Sequence, residues 1–442
     1  MPGSPVVAAT PRTRLVLAGC SLAYFMVLLD VTVLAVAEPD LIASLHTDVI
    51  GVGWATTAYT TALASAVLLG GGLTDRFGPR RVLVLGTVGF GLASLACALA
   101  PGIGPLLVGR TGLGLFAATM IPSSLALVTI GHPQPAQRAR AIGVWASVSG
   151  AAMAAGPVVG GWLVGLGGWR SVFLINAPLA VVVLWLCRGP ATTATRRPLT
   201  LAPHLGLALT LGLMTLTITQ AGQQQWTALL PGAAAVAAGV ATAWLDQRAR
   251  VRLLPASLWA SRPIRAAALW ATVINYALTT VLFSVPLLLA AEAVVVGLTL
   301  LPMTLLIAVN PVLTGRMAAR FGALLPIRLG FAAAALGLTA IAAALAGEPR
   351  TPLLAAGLVA CGLGVSWTLP ALTGYAAGHA PPDGAGAVGG LVNAVRHVGA
   401  TVAAAVAGVL IDAGLPVAPL AGAALLCTAG LVGSLVHRAD PG

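Results

Sequence analysis

The sequence predicts an all-helical fold that crosses a membrane many times, and three observations predict it. Hydrophobic residues fill 58% of the 442 positions and charged residues only 8%, which would leave a soluble domain without a polar surface. Apolar stretches of spanning length, about 20 residues each, recur along the whole chain. The 23 basic residues are all arginine and cluster between those stretches.

Taken in order, six apolar segments fall near 15–37, 51–73, 82–100, 105–130, 141–166 and 169–187. Two more follow near 200–220 and 227–245, and six complete the chain near 266–289, 293–314, 326–346, 351–376, 385–411 and 416–436. Fourteen spans are therefore expected. With both termini cytoplasmic, arginines 12, 14, 76, 80, 81, 138, 140, 188, 196, 197, 248, 250, 252, 262, 265, 316, 320, 328 and 438 lie inside. Only Arg170 and Arg350 fall outside, while Arg110 and Arg396 lie within helices. That asymmetry satisfies the positive-inside rule, and a miscount by one helix would destroy it.

The same placement argues against nucleic acid as the partner of the +12 charge, because the arginines sit at helix ends rather than along one face. Cys20, Cys97, Cys187, Cys361 and Cys427 are scattered singly through apolar runs, as small packing residues are. Arg12 and Arg14 precede an apolar run in the manner of a signal peptide. The run exceeds 20 residues, contains Asp30 and lacks a small-residue cleavage site, so a retained first helix is expected. The polar connections Arg188–Arg197 and Asp246–Arg265 are too short for a separate domain. The chain shows no HExxH, no GxSxG and no clustered metal ligands, so no enzymatic site and no metal are expected.

Several motifs carry chemistry. Between the second and third segments lies Gly71-x-Leu73-x-Asp75-Arg76-x-Gly78-x-Arg80-Arg81, where two glycines permit a tight reversal. An acidic residue there is superfluous for topology. The octet Gly71–Gly78 is echoed 244 residues later by Gly315–Gly322, with Ala319 in place of the aspartate, and two related halves are a building plan of secondary transporters. The fifth segment holds Gly150-x5-Gly156-Pro157-x-x-Gly160-Gly161, a bent and closely packing helix. Arg110-x-x-Leu113-Gly114 places a costly charge inside the fourth segment. Leu29-Asp30-x-Thr32-Val33 places a carboxylate deep in the first, where burial and a neighbouring arginine would pull its protonation in opposite directions. Trp169-Arg170 opens the sixth segment, ahead of Ile175-Asn176-x-Pro178, and reads as an interfacial anchor. Asn393-x-x-Arg396 in the thirteenth brings a second membrane charge, beside a histidine, His397, which is more often structural than titrating.

From first to last span these motifs resemble the fourteen-helix drug/proton antiporter branch of the major facilitator superfamily. The resemblance implies two six-helix bundles, residues 1–187 and 263–442, joined by a linker with two extra spans over 188–262. It implies that Asp75, with Gly71, Arg76, Gly78, Arg80 and Arg81, forms an inner gate that latches across the halves. It implies that the Gly150–Gly161 motif marks an exporter and that Arg110 assists proton transfer with Asp30. Thr32, Asn275, Tyr276, Asn310, Asn393 and Arg396 are candidates to line the central cavity.

The chain departs from the pattern at Ala35, where the branch usually has asparagine, and at Glu38, where it has an apolar residue. Glu38, near the outer end of the first segment, is either an extra proton or cation site or simply solvated. The short connection Ala290–Ala293 is a further departure. The expected function is proton-driven export of small amphipathic compounds such as drugs or antibiotics, by a monomer without cofactors, in the cell membrane. A metabolite facilitator or importer on the same fold, or a non-transporting sensor, is the rival expectation.

Overall fold

A computed structural model describes residues 11–189, 201–222, 226–249, 260–347, 351–379 and 385–437. Arginines 196, 197, 250, 252, 350 and 438, counted above as topological markers, lie outside those residues. Everything described is helix or short turn. The first half comprises α1 (Pro11–Leu45), α2 (Val49–Phe77), α3 (Pro79–Ala98), α4 (Ile103–Gly131), α5 (Pro135–Gly167), α6 (Trp169–Leu174) and α7 (Asn176–Leu186). Two helices follow, α8 (Leu201–Gly222) and α9 (Leu229–Arg248). The second half comprises α10 (Arg262–Leu289), α11 (Ala293–Val309), α12 (Pro311–Phe321), α13 (Leu324–Leu345), α14 (Thr351–Gly378), α15 (Ala385–Asp412) and α16 (Ala418–Val436).

Local chemistry sets the ends of these helices. Asp48 caps α2 by accepting from the Gly51 N–H at 2.7 Å, and Ser261 caps α10 through the Ile264 N–H. Prolines open α3, α5, α10 and α12, where a missing N–H costs nothing. The internal repeat is legible in the backbone. Gly78 ends α2 at φ 87° and Gly322 ends α12 at φ 81°, a region that penalises any Cβ.

Eleven helices are long and apolar enough to cross a bilayer, or twelve if α11 and α12, bent by 47°, form one span. Among the described residues α5 and α8 add two shorter apolar stretches, Ala151–Gly167 and Leu205–Ile218. The fourteen expected spans are thus met by eleven or twelve among the described residues.

Two further boundaries differ from expectation. The first helix runs to Leu45 rather than ending near 37, so Glu38 lies two turns inside it. The sixth span is broken at Ile175, which caps α6 and opens α7, and the tenth is broken at Asn310, just ahead of Pro311.

Buried side chains form two clusters. One draws almost entirely on Cys20–Cys187, with Phe283, Ala394, Ala404 and Ala407 joining from the second half. The other draws on Ile264–Cys427, with Ala35 and Val36 of α1 joining from the first. Two seams unite the halves. Along α2 and α15, Thr401 donates to Thr60 Oγ1 at 2.9 Å, both buried. Along α5 and α11, a Cβ on Gly161 would sit 2.6 Å from the Ala293 carbonyl oxygen, and one on Gly297 would overlap the Pro157 carbonyl.

Candidate functional site

The site grows from two helices that each carry one charge into an apolar bundle. Asp30 of α1 and Arg110 of α4 are 4% and 1% exposed, and Arg110 Nη1 meets Asp30 Oδ2 at 2.5 Å. In so apolar a setting each charge offsets part of the cost of burying the other. Arg110 also donates from Nε to the Ala55 carbonyl of α2 at 3.0 Å and lies over the Tyr59 ring, 4.5 Å from its centroid. The Tyr59 hydroxyl donates to the Val27 carbonyl of α1 at 3.2 Å. The two sequence motifs that carried Asp30 and Arg110 therefore meet as one site.

The other Asp30 oxygen is held by a residue whose role the sequence did not disclose. Asn176 Nδ2, at the start of α7, donates to Asp30 Oδ1 at 3.4 Å and to Ser94 Oγ of α3 at 3.0 Å. Ser94 in turn donates to the Phe173 carbonyl at 2.8 Å. The helix break at Ile175 places Asn176 beside Asp30. Asn176 lay inside a quoted motif, and its polarity amid apolar neighbours was the one available signal.

Glu38 is 1% exposed, so the solvated alternative is overturned. The continuation of α1 to Leu45 buries it. Its Oε1 accepts from Thr56 Oγ1 of α2 at 3.3 Å, while Oε2 is buried without a partner. Glu38 is thus a second acidic residue buried within α1. Glu38 lies about 12 Å further along α1, at 1.5 Å rise per residue. Asp40, still within α1, accepts the Trp169 N–H at 2.7 Å, and Ser44 accepts Trp169 Nε1 at 2.9 Å. Trp169 is 1% exposed, so it anchors α6 to α1 rather than to the membrane interface. Arg170 stacks on it at 4.3 Å.

The glycine motif of α5 presents two faces. A Cβ on Gly156 would overlap Thr32 Oγ1, and one on Gly160 would lie 3.2 Å from Val33 Cα, so this face seats α1. Gly161 faces α11, and Gly150 lies earlier on the same helix. Thr32 is buried and spends its hydroxyl on the carbonyls of Leu28, Leu29 and Ala152. It therefore packs the seam. Gly71 has open space around it, Asp75, Arg76 and Arg81 are exposed, and Arg80 is half-buried.

Of the second-half candidates, three come together. Asn275 donates to the Arg396 carbonyl at 2.8 Å, and Arg396 Nη1 donates to Asn393 Oδ1 at 3.3 Å. Asn310 instead donates to Ser366 Oγ at 2.8 Å, fixing the α11–α12 break to α14. Tyr276 is half-buried on α10. A cavity of about 210 Å³ walled by Arg12, Leu17, Arg80, His132 and Cys187 opens near the start of α1. It lies about 20 Å along that helix from Asp30, and of the candidate residues Arg80 alone lines it.

Comparison with known proteins places this architecture. Residues 20–404 match the Major Facilitator Superfamily. Multidrug resistance protein Stp of Mycobacterium tuberculosis is 32% identical over 423 residues, covering 91% of this chain and 77% of that protein. The methylenomycin A resistance protein of Streptomyces coelicolor is 33% identical over 402 residues, covering 88% and 83%. The tetracenomycin C resistance and export protein of Streptomyces glaucescens is 32% identical over 423 residues, covering 91% and 78%. Among solved structures, a POT family transporter in complex with 5-aminolevulinic acid superposes with a TM-score of 0.71 over 95% of this chain and 94% of that one. At 14% identity that likeness speaks for the fold alone. The chain belongs to the Major Facilitator Superfamily, a family of multi-pass membrane transporters rather than enzymes.

Proposed function

We propose that this chain exports small amphipathic compounds, of the drug or antibiotic kind, in exchange for protons. The observation that carries the reading is the buried Asp30–Arg110 pair, set in a chain whose relatives are named for resistance and export. Protonating Asp30 would remove the counter-charge of Arg110 and loosen α1 from α4. Arg110, still charged, would then favour release of that proton. An alternating equilibrium of the two halves could couple to that step, because α1 packs against α5 through Gly156 and Gly160, and α5 carries the seam with α11.

The reading keeps fourteen spans, with α6–α7 and α11–α12 each forming one crossing and with cytoplasmic termini. The bundles are 1–187 and 263–442, and residues 188–262 link them. On that topology both tight seams lie toward the outside, as befits an inward-facing conformation. Asp75 and its arginines would latch the inner side in the opposite state. The unit is a monomer that needs no cofactor.

The test is dye uptake into energised inside-out vesicles. Uptake that collapses on adding a protonophore is expected. Uptake indifferent to the protonophore would overturn antiport, and uptake favoured by the reverse gradient would indicate import.

A further inference from the structure

The second half holds its own intramembrane cation, and that cation is incomplete. Arg396 of α15 reaches Asn393 Oδ1 with Nη1 at 3.3 Å, but its Nε is buried and has no hydrogen-bond partner. Among the described residues no carboxylate lies within ion-pair distance of it. Asn275 fixes the backbone at that turn by donating to the Arg396 carbonyl at 2.8 Å. Across the interface between the halves, Tyr24 of α1 lies within the field of Arg396. Tyr24 stacks on Trp145 of α5, with centroids 4.5 Å apart and planes inclined by 20°. Trp145 Nε1 donates to Ser124 Oγ of α4 at 3.2 Å, which steadies the stack.

A half-buried guanidinium whose Nε is shut off from water without an acceptor is costly, and such groups inside membranes mark ligand paths. The missing acceptor would come from the cargo. Arginine's planar fork suits a carboxylate, and the Tyr24–Trp145 stack of the other half is an aromatic partner for a planar body. We propose that the transported compounds are amphipathic anions, with an acidic group on Arg396 and a planar apolar body against Tyr24 and Trp145. The inference rests on reading the space between the halves as the transport route.

The experiment uses the purified full chain in detergent at pH 7.5, with 1-naphthoate and its uncharged methyl ester as matched probes, read by equilibrium dialysis. The intact chain should bind the acid at least tenfold more tightly than the ester. Arg396→Gln should bring the acid down to the ester's affinity and leave the ester unchanged, while Arg396→Lys should keep part of the preference. Equal binding of acid and ester, binding of neither, or an equal loss of both in Arg396→Gln would overturn the proposal. No proton gradient enters the measurement, so failure of antiport in vesicles and failure of anion recognition are separately visible.

Discussion

The two halves each carry an arginine inside a helix bundle, and they treat it in opposite ways. Arg110 is held by an aspartate, a backbone carbonyl and an aromatic ring, all from within its own bundle. Arg396 has one side-chain amide and an open Nε at the boundary between bundles. A compensated charge can store and release a proton without a ligand, because its partner is always present. An uncompensated one is completed from outside. On the proposed reading, energy coupling belongs to the first half and cargo recognition to the second.

The largest effect that would break this comparison is at Arg110. Arg110→Ala leaves Asp30 buried without its partner and should cost about 3–5 kcal/mol, read as a fall in thermal unfolding temperature in detergent. The double variant Asp30→Asn/Arg110→Gln removes both charges and should recover most of that loss without recovering proton coupling. If it stays as unstable as the single variant, the pair is not what holds α1 to α4.

Next in size is the seam between α5 and its neighbours. Gly156→Ala and Gly297→Ala should each destabilise by about 1–3 kcal/mol through overpacking. Thr32→Gly should partly rescue the first, because the clash is with the Thr32 side chain, Oγ1 and Cβ alike. Nothing comparable can rescue the second, whose Cβ meets a backbone carbonyl. Equal rescue in both would contradict the packing described.

Asn176→Ala should cost about 1–2 kcal/mol by leaving buried partners unsatisfied, and it should weaken proton-coupled uptake more than cargo binding. Smallest of all, Arg396→Gln should leave thermal stability within about 1 kcal/mol, since deleting a half-buried charge without a counter-ion relieves as much as it removes. A loss there as large as at Arg110 would dissolve the contrast between the halves.

Much of this arrangement was legible in the sequence, for reasons that also explain what was not. Motif spacing placed Asp30, Arg110 and the α5 glycines on particular helices, because an apolar background makes each charge or glycine conspicuous. The octet repeat foretold matching glycine caps at 78 and 322. The burial of Glu38 was not legible because Glu38-Pro39-Asp40 looks like a helix end. In fact Thr56 and the Trp169 N–H accommodate its two carboxylates, and α1 continues. Asn176 and Ser94 escaped notice since their partners are set by the register between α1, α3 and α7, and periodicity within one helix does not encode that. Asn310 looked like cavity lining but closes a helix break.

The central claim is that protons enter through Asp30 rather than Glu38. The most direct test reconstitutes the chain in liposomes containing a pH-sensitive dye and follows the proton movement triggered by adding transported cargo. The account predicts a cargo-dependent signal that survives in Glu38→Gln and disappears in Asp30→Asn, with cargo binding retained in both. A signal that persists in Asp30→Asn and vanishes in Glu38→Gln would contradict it.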